Sequence, residues 1–140
     1  MDSMLNSLRS IVQEVNAARD LPKALAIIVS RVKRAMQTQV CSVYLRGPND
    51  EFVLMATEGL QQQAVGQVRM APGQGLVGRV VTREEPVNLE DAESHPAYQY
   101  FPETGEERFS SFLGVPIIHH RQVLGVLVVQ QSERRSFDEG

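Results

Sequence analysis

The chain has 140 residues, enough for one domain around one hydrophobic core. Its hydrophobic share of 42% and charged share of 22% are ordinary for a globular protein, and 14 basic against 17 acidic residues leave no electrostatic footprint for nucleic acid. The single cysteine, Cys41, excludes an intramolecular disulfide framework and a zinc site built on several thiolates, and it fits a reducing compartment.

No charged-then-apolar leader opens the chain, and the longest apolar run, residues 124–129, is interrupted by Gly125 and far too short for a bilayer. The expectation is a cytoplasmic domain with no membrane partner. Residues 1–36 read as a helical section. Leu5, Leu8, Ile11, Val12 and Val15 recur at three- and four-residue spacing, on one face of a first helix. Asp20 then caps a second helix, with Pro22 in the first turn, where a missing N–H costs little. Leu25, Ile28, Val29, Val32 and Met36 form its apolar stripe.

Residues 39–130 change to strand texture. Val40–Leu45 and Phe52–Ala56 predict a hairpin across the turn cluster Gly47-Pro48-Asn49-Asp50. A short strand near Gln67–Met70 leads to a glycine-rich turn, about two helical turns over Leu76–Thr82, and a short extended piece at Val87–Leu89. Residues 84–107 hold eight acidic residues and no Lys or Arg. Phe112–Ile118 and Val123–Gln130 close the fold through a turn at residues 119–122, with Pro116 marking an edge or bulged position. Residues 131–140 carry the chemistry of a helix start without the helix. The class is α+β: an antiparallel sheet of about six strands, N-terminal helices on one face, and a long irregular connection across the other. Loops of that length in a small domain are often functional.

Gly73-Gln74-Gly75-Leu76-Val77-Gly78 matches a dinucleotide-binding fingerprint in outline. That site needs a buried apolar strand before it and a long crossover helix after it. Here Gln67 and Arg69 precede the glycines and Pro86 cuts the helix short, so the glycines read as a tight strand-to-helix turn, with Gly78 allowing close packing. An anion at that helix N-terminus stays open. Cys41 sits among strand residues and reads as a small hydrophobe. His119 and His120 are adjacent and would point to opposite strand faces, and no His-x-x-x-His pair or cysteine cluster exists, so neither a metal nor another cofactor is expected. No nucleophile and base converge to suggest an enzyme within this chain.

Residues 73–80 with Glu85-Pro86-Val87-Asn88-Leu89, and Phe112-Leu113-Gly114-Val115-Pro116-Ile117 with Val123-Leu124-Gly125-Val126-Leu127, resemble the central turn and final hairpin of GAF domains, relatives of PAS domains. The resemblance covers residues 4–140 and lacks the family's last helix. Val40–Leu45, Leu54–Leu60, Leu113–Ile118 and Leu124–Gln131 are similar to the N-terminal GAF domains of nitrogen phosphotransferase-system enzymes I, which are phosphoenolpyruvate-protein phosphotransferases. The resemblance implies a regulatory domain rather than an enzyme, joined to phosphotransferase domains of the same chain that pass phosphate to a phosphocarrier protein. It implies glutamine or 2-oxoglutarate as the small-molecule effector, and nitrogen status as the signal. His95, His119 and His120 match no phosphorylated histidine of that family. The marks of its cyclic-nucleotide-binding, bilin-carrying and methionine-sulfoxide-reducing relatives are absent.

For glutamine held between the sheet and residues 88–111, the expected partners are Arg108 for the α-carboxylate and Asp91 or Glu93 for the α-ammonium. Asn88, Tyr98 and Ser111 would supply neutral hydrogen bonds. The alternative is a dimerisation module without its own ligand, in which the face from Leu5 to Val15 packs against a second copy, a homodimer compatible with the sensor.

Overall fold

In the computed structural model, which describes residues 4–6, 8, 21–99, 109–135 and 137, the second predicted helix is α1 (Leu21–Met36). Leu25, Ile28, Val29 and Val32 are buried, as their spacing requires of one helix face, and Met36 is half-buried. Each such side chain stabilises the fold by roughly 1.5–3 kcal/mol relative to exposure. Of the first predicted helix, residues 4–6 and 8 are helical and Leu8 is buried. Ile11, Val12, Val15 and the Asp20 cap lie outside the described residues.

The strands are β1 (Val40–Arg46), β2 (Phe52–Glu58), β3 (Arg69–Met70), β4 (Val87–Leu89), β5 (Ser111–His119) and β6 (Gln122–Gln131). They form one sheet in the order β3-β2-β1-β6-β5-β4, with every neighbouring pair antiparallel. The β1–β2 turn closes through the Gly47 N–H on the Glu51 carbonyl at 2.7 Å. The final turn is tighter than its four predicted residues. His119 pairs with Gln122, and only His120 and Arg121 turn the chain, at φ of 50° and 63°. Pro116 lies past the reach of β4, whose ladder covers only Phe112 to Gly114, so its missing N–H costs no pairing there.

The sheet buries both faces. Cys41, Val43, Leu113, Val115, Leu127 and Val129 pack under α1. Tyr44, Phe52, Leu54, Phe112, Val126 and Val128 pack under α2 (Gly75–Arg83) through Leu76, Val77, Val80 and Val81. Helical structure therefore covers both faces, and α2 shares the second one with Leu89, Ala92, Ala97 and Tyr98 of the connection. After β6 the described residues 132–135 and 137 contain no helical turn, and Phe137 is 3% exposed in the α1-side core.

Candidate functional site

The glycine-rich segment is the strand-to-helix turn its sequence suggests. The Gln74 N–H donates to the Ala71 carbonyl at 2.9 Å, the Gln74 side-chain oxygen accepts from the Ala71 N–H at 3.0 Å, and Gly73 and Gly75 take positive φ. Gly78 lies one helical turn on, where a Cβ would stand 2.5 Å from the Ala71 carbonyl oxygen. Only a residue with no side chain lets α2 seat against the end of β3. At its other end α2 stops at Glu84, in the left-handed conformation, whose N–H reaches the Val80 carbonyl.

Beneath α2 the sheet is not uniformly apolar. Ser42 pairs with Val128 and Tyr44 with Val126, so both share the α2-facing side of the sheet with those valines. Ser42 is 0% exposed, and its Oγ lies 2.9 Å from the Thr57 hydroxyl directly opposite. The Thr57 carbonyl in turn accepts from the Gln62 amide at 2.8 Å. Two hydroxyls joined by one bond use one of their two protons on each other. Tyr44 is 6% exposed, and burial pushes its phenol well above the usual tyrosine range. Sequence reasoning missed these three residues. The period-two alternation of Cys41-Ser42-Val43-Tyr44 carried the signal, since it sends the two polar members to the face opposite α1.

The six residues expected around a ligand divide. Tyr98 packs, half-buried, on the α2-side core, and its N–H bonds the His95 carbonyl at 2.9 Å. Glu93 is exposed on the 3-10 turn Ala92–Ser94. Asn88, Asp91 and Ser111 come together at the β4–β5 edge, where each bonds the chain that follows β6. Asn88 faces away from Val87 and Leu89, which enter the α2-side core, and its amide donates to the Phe137 carbonyl at 2.7 Å. Ser111 Oγ donates to the Glu133 carbonyl at 2.5 Å and accepts from the Arg135 N–H at 2.6 Å. Asp91 accepts from Ser94 at 2.7 Å and from Arg134 at 3.1 Å. Strand alternation thus turns Asn88 and Ser111 to the side of the sheet away from α2. Arg108 lies outside the described residues.

Among the described residues, no group of three or more His, Cys, Asp or Glu side chains is placed to hold a metal ion, and no helix is long and apolar enough to cross a membrane. Burial, with a smaller contribution from Glu58, pushes the Cys41 thiol up to about 12, so it is no nucleophile at neutral pH.

Comparison with known proteins agrees with this architecture. The GAF domain profile matches residues 20–140. The chain is 50% identical over 137 residues to the phosphoenolpyruvate-dependent phosphotransferase system protein of Escherichia coli K12, covering 97% of this chain and 18% of that protein. It is 26% identical over 141 residues to the Nif-specific regulatory protein of Azospirillum lipoferum, covering 97% and 22%. The chain therefore spans about a fifth of the length of these curated relatives. Among solved structures, the GAF domain of a phosphoenolpyruvate-protein phosphotransferase from Coxiella burnetii superposes with a TM-score of 0.81 at 49% identity, covering 97% of this chain and 82% of that one. The corresponding Acinetobacter domain gives 0.77 at 42%, covering 99% and 83%. With six antiparallel strands, a helix on each face and a profile match over most of its length, the chain belongs to the GAF domain family.

Proposed function

We propose that this chain is the sensory domain of a phosphoenolpyruvate-dependent phosphotransferase protein, and that it binds a small polar metabolite on the α2 side of its sheet. The observation that carries this reading is the polar floor there. Ser42, Thr57 and Tyr44 stand buried on the α2-facing side of the sheet, in register with the apolar side chains of that layer. Ser42 and Thr57 use one of their two hydroxyl protons on each other, and a small molecule bearing a carbonyl or carboxamide would accept the other. L-Glutamine is the ligand we favour, and 2-oxoglutarate the competitor. Arg108 would fork onto the α-carboxylate, and Asp91 or Glu93 would meet the α-ammonium, with Tyr98 beside them. An unmatched buried charge costs roughly 3–5 kcal/mol, so both partners are required. In the longer protein the domain would act on attached phosphotransferase domains, and through them on a phosphocarrier protein in the cytoplasm.

Isothermal titration of the chain with L-glutamine, with 2-oxoglutarate and L-glutamate for comparison, tests the reading. Saturable binding of glutamine at one site, abolished by Arg108→Ala without loss of cooperative unfolding, is the expected result. Absence of binding heat in a folded sample overturns it. A second reading, pairing of two copies through the N-terminal helical section, is favoured by Ile27, a large hydrophobic side chain 52% exposed on α1. Sedimentation that stays monomeric across a hundredfold concentration range rejects it.

A further inference from the structure

The described residues that follow β6, 132–135 and 137, are held without a strand ladder. Four of its backbone groups are bonded by two side chains: the Glu133 carbonyl and the Arg135 N–H by Ser111, and the Phe137 carbonyl and N–H by Asn88. The amide of Asn88 thus does for Phe137 what a neighbouring strand would do, donating at 2.7 Å and accepting at 3.4 Å. The Arg135 guanidinium stacks over the Phe137 ring at 4.8 Å and donates to the Gln37 carbonyl at the end of α1.

The same residues hold the connection on the other face of the sheet. Asn88 is the middle residue of β4, whose Val87 and Leu89 enter the α2-side core. Asp91 accepts from Ser94 in the 3-10 turn and from Arg134 in the tail through one oxygen, Oδ2. Ser111 directly follows Ser110, whose carbonyl accepts the Ala92 N–H at 2.6 Å. Among the described residues no other ladder supports β4, a three-residue edge strand paired with β5.

We infer that Asn88, Asp91 and Ser111 form a latch that couples the docking of residues 133–135 and 137 to the conformation of the 87–98 connection, so that either one loosens when the other is released. The coupling rests on Asp91, which bonds both segments, and on Asn88 and Ser111, whose chain neighbours Val87, Leu89 and Ser110 hold the connection, and by linkage it acts equally in both directions. It does not depend on which molecule, if any, binds under α2.

Amide hydrogen exchange followed by NMR on the unliganded chain tests it. In Asn88→Ala and Ser111→Ala the Arg135 and Phe137 amides should lose protection. The Ala92, His95 and Tyr98 amides, whose acceptors lie within the connection or at Ser110, should exchange roughly five- to thirty-fold faster, the change that follows from losing one or two part-buried bonds worth about 1–2 kcal/mol together. Amides in β1 and β6 should not change. Tail amides released with the Ala92, His95 and Tyr98 rates within twofold of the parent chain would overturn the latch. If those variants also lose protection in β1 and β6, Arg134→Ala decides instead. Its side chain is 71% exposed, so its loss leaves both cores intact. It should speed exchange at both Arg135 and His95, and no change at His95 rejects the coupling. Ser94→Ala, made from the other side, should release Arg135. Failure of glutamine to bind would remove the sensory reading and leave this result standing, whereas uncoupled exchange removes the latch alone.

Discussion

Gly78→Ala separates two accounts of the glycine-rich turn by the sign of its effect. If Gly78 were only an interior helical residue, alanine would stabilise α2 by about 1 kcal/mol, because glycine holds more conformational freedom to lose. The structure predicts the opposite. The added Cβ would meet the Ala71 carbonyl oxygen at 2.5 Å, the Gly73 nitrogen at 2.9 Å and the Gly73 carbonyl carbon at 3.0 Å. All three are backbone atoms, so no flexible side-chain end can yield. The Gly73 N–H is also fixed, at 2.9 Å, on the carbonyl of Gly78 itself. Overpacking of this kind costs typically 1–3 kcal/mol, and a backbone contact belongs at the upper end. Set against the propensity gain, the net is about 2 kcal/mol of destabilisation. For a chain of this size that lowers the Tm by roughly 6–10 °C. Urea and thermal unfolding measure it directly, and amide shifts at Ala71 and Gly73 should report the displaced turn. A variant as stable as the parent, or more stable, would show that α2 does not seat on Ala71 as described.

Three further outcomes follow from the same geometry. Arg121→Gly should raise stability by about 0.5–1 kcal/mol in urea unfolding, because φ of 63° costs a side-chain-bearing residue roughly 1–2 kcal/mol and glycine gives back part of that as chain entropy; a loss of stability would contradict the two-residue turn. Ser42→Ala alone leaves the Thr57 hydroxyl without its partner and should cost about 1–3 kcal/mol, whereas Ser42→Ala with Thr57→Val should cost less than the two single changes added. Strict additivity in that cycle would mean the two hydroxyls do not interact. The Cys41 thiol, raised from 9.0 to about 12 in the fold, keeps its full contribution below pH 9, and that contribution is lost as pH rises towards 12, because the unfolded chain ionises first. Stability should therefore fall more steeply with pH above 9 in the parent than in Cys41→Ala, and equal slopes would refute the burial of the thiol.

Period-two and period-3.6 patterns carried most of the fold. The stripe Leu25, Ile28, Val29 and Val32 named the buried face of α1 correctly, and Val87–Leu89 emerged as a strand with the predicted bounds. Short-range turn chemistry was equally legible at Gly47–Asp50 and at the glycine-rich turn. The candidate site was less so, for a physical reason. Asn88 and Ser111 stand on strands, and a polar side chain on a strand does not reveal what it meets across the sheet. Their partners lie 49 and 22 to 24 residues away along the chain, in a segment whose composition suggested a helix start. Ser42 and Tyr44 were overlooked for the converse reason. In sequence they sit among Val40, Cys41 and Val43, and only alternation separates them from the α1-side core.

That alternation also decides where the two faces of the sheet can communicate. A shift in β1 or β6 must break ladders on both sides, since each is paired with two neighbours. The edges are cheaper to move. β3 contributes two residues and leads straight into the rigid Ala71–Gly78 turn, where neighbouring backbone leaves no slack. β4 contributes three, and they alternate: Val87 and Leu89 rest under α2, while Asn88 grips the tail on the opposite face. A side chain on one face of a strand cannot translate without carrying those on the other, because one backbone bears both. Any molecule that lifts or settles Leu89 on the α2 side must then move Asn88 relative to Phe137, which is anchored in the other core. The shortest path between the two faces of this domain is the width of one edge strand.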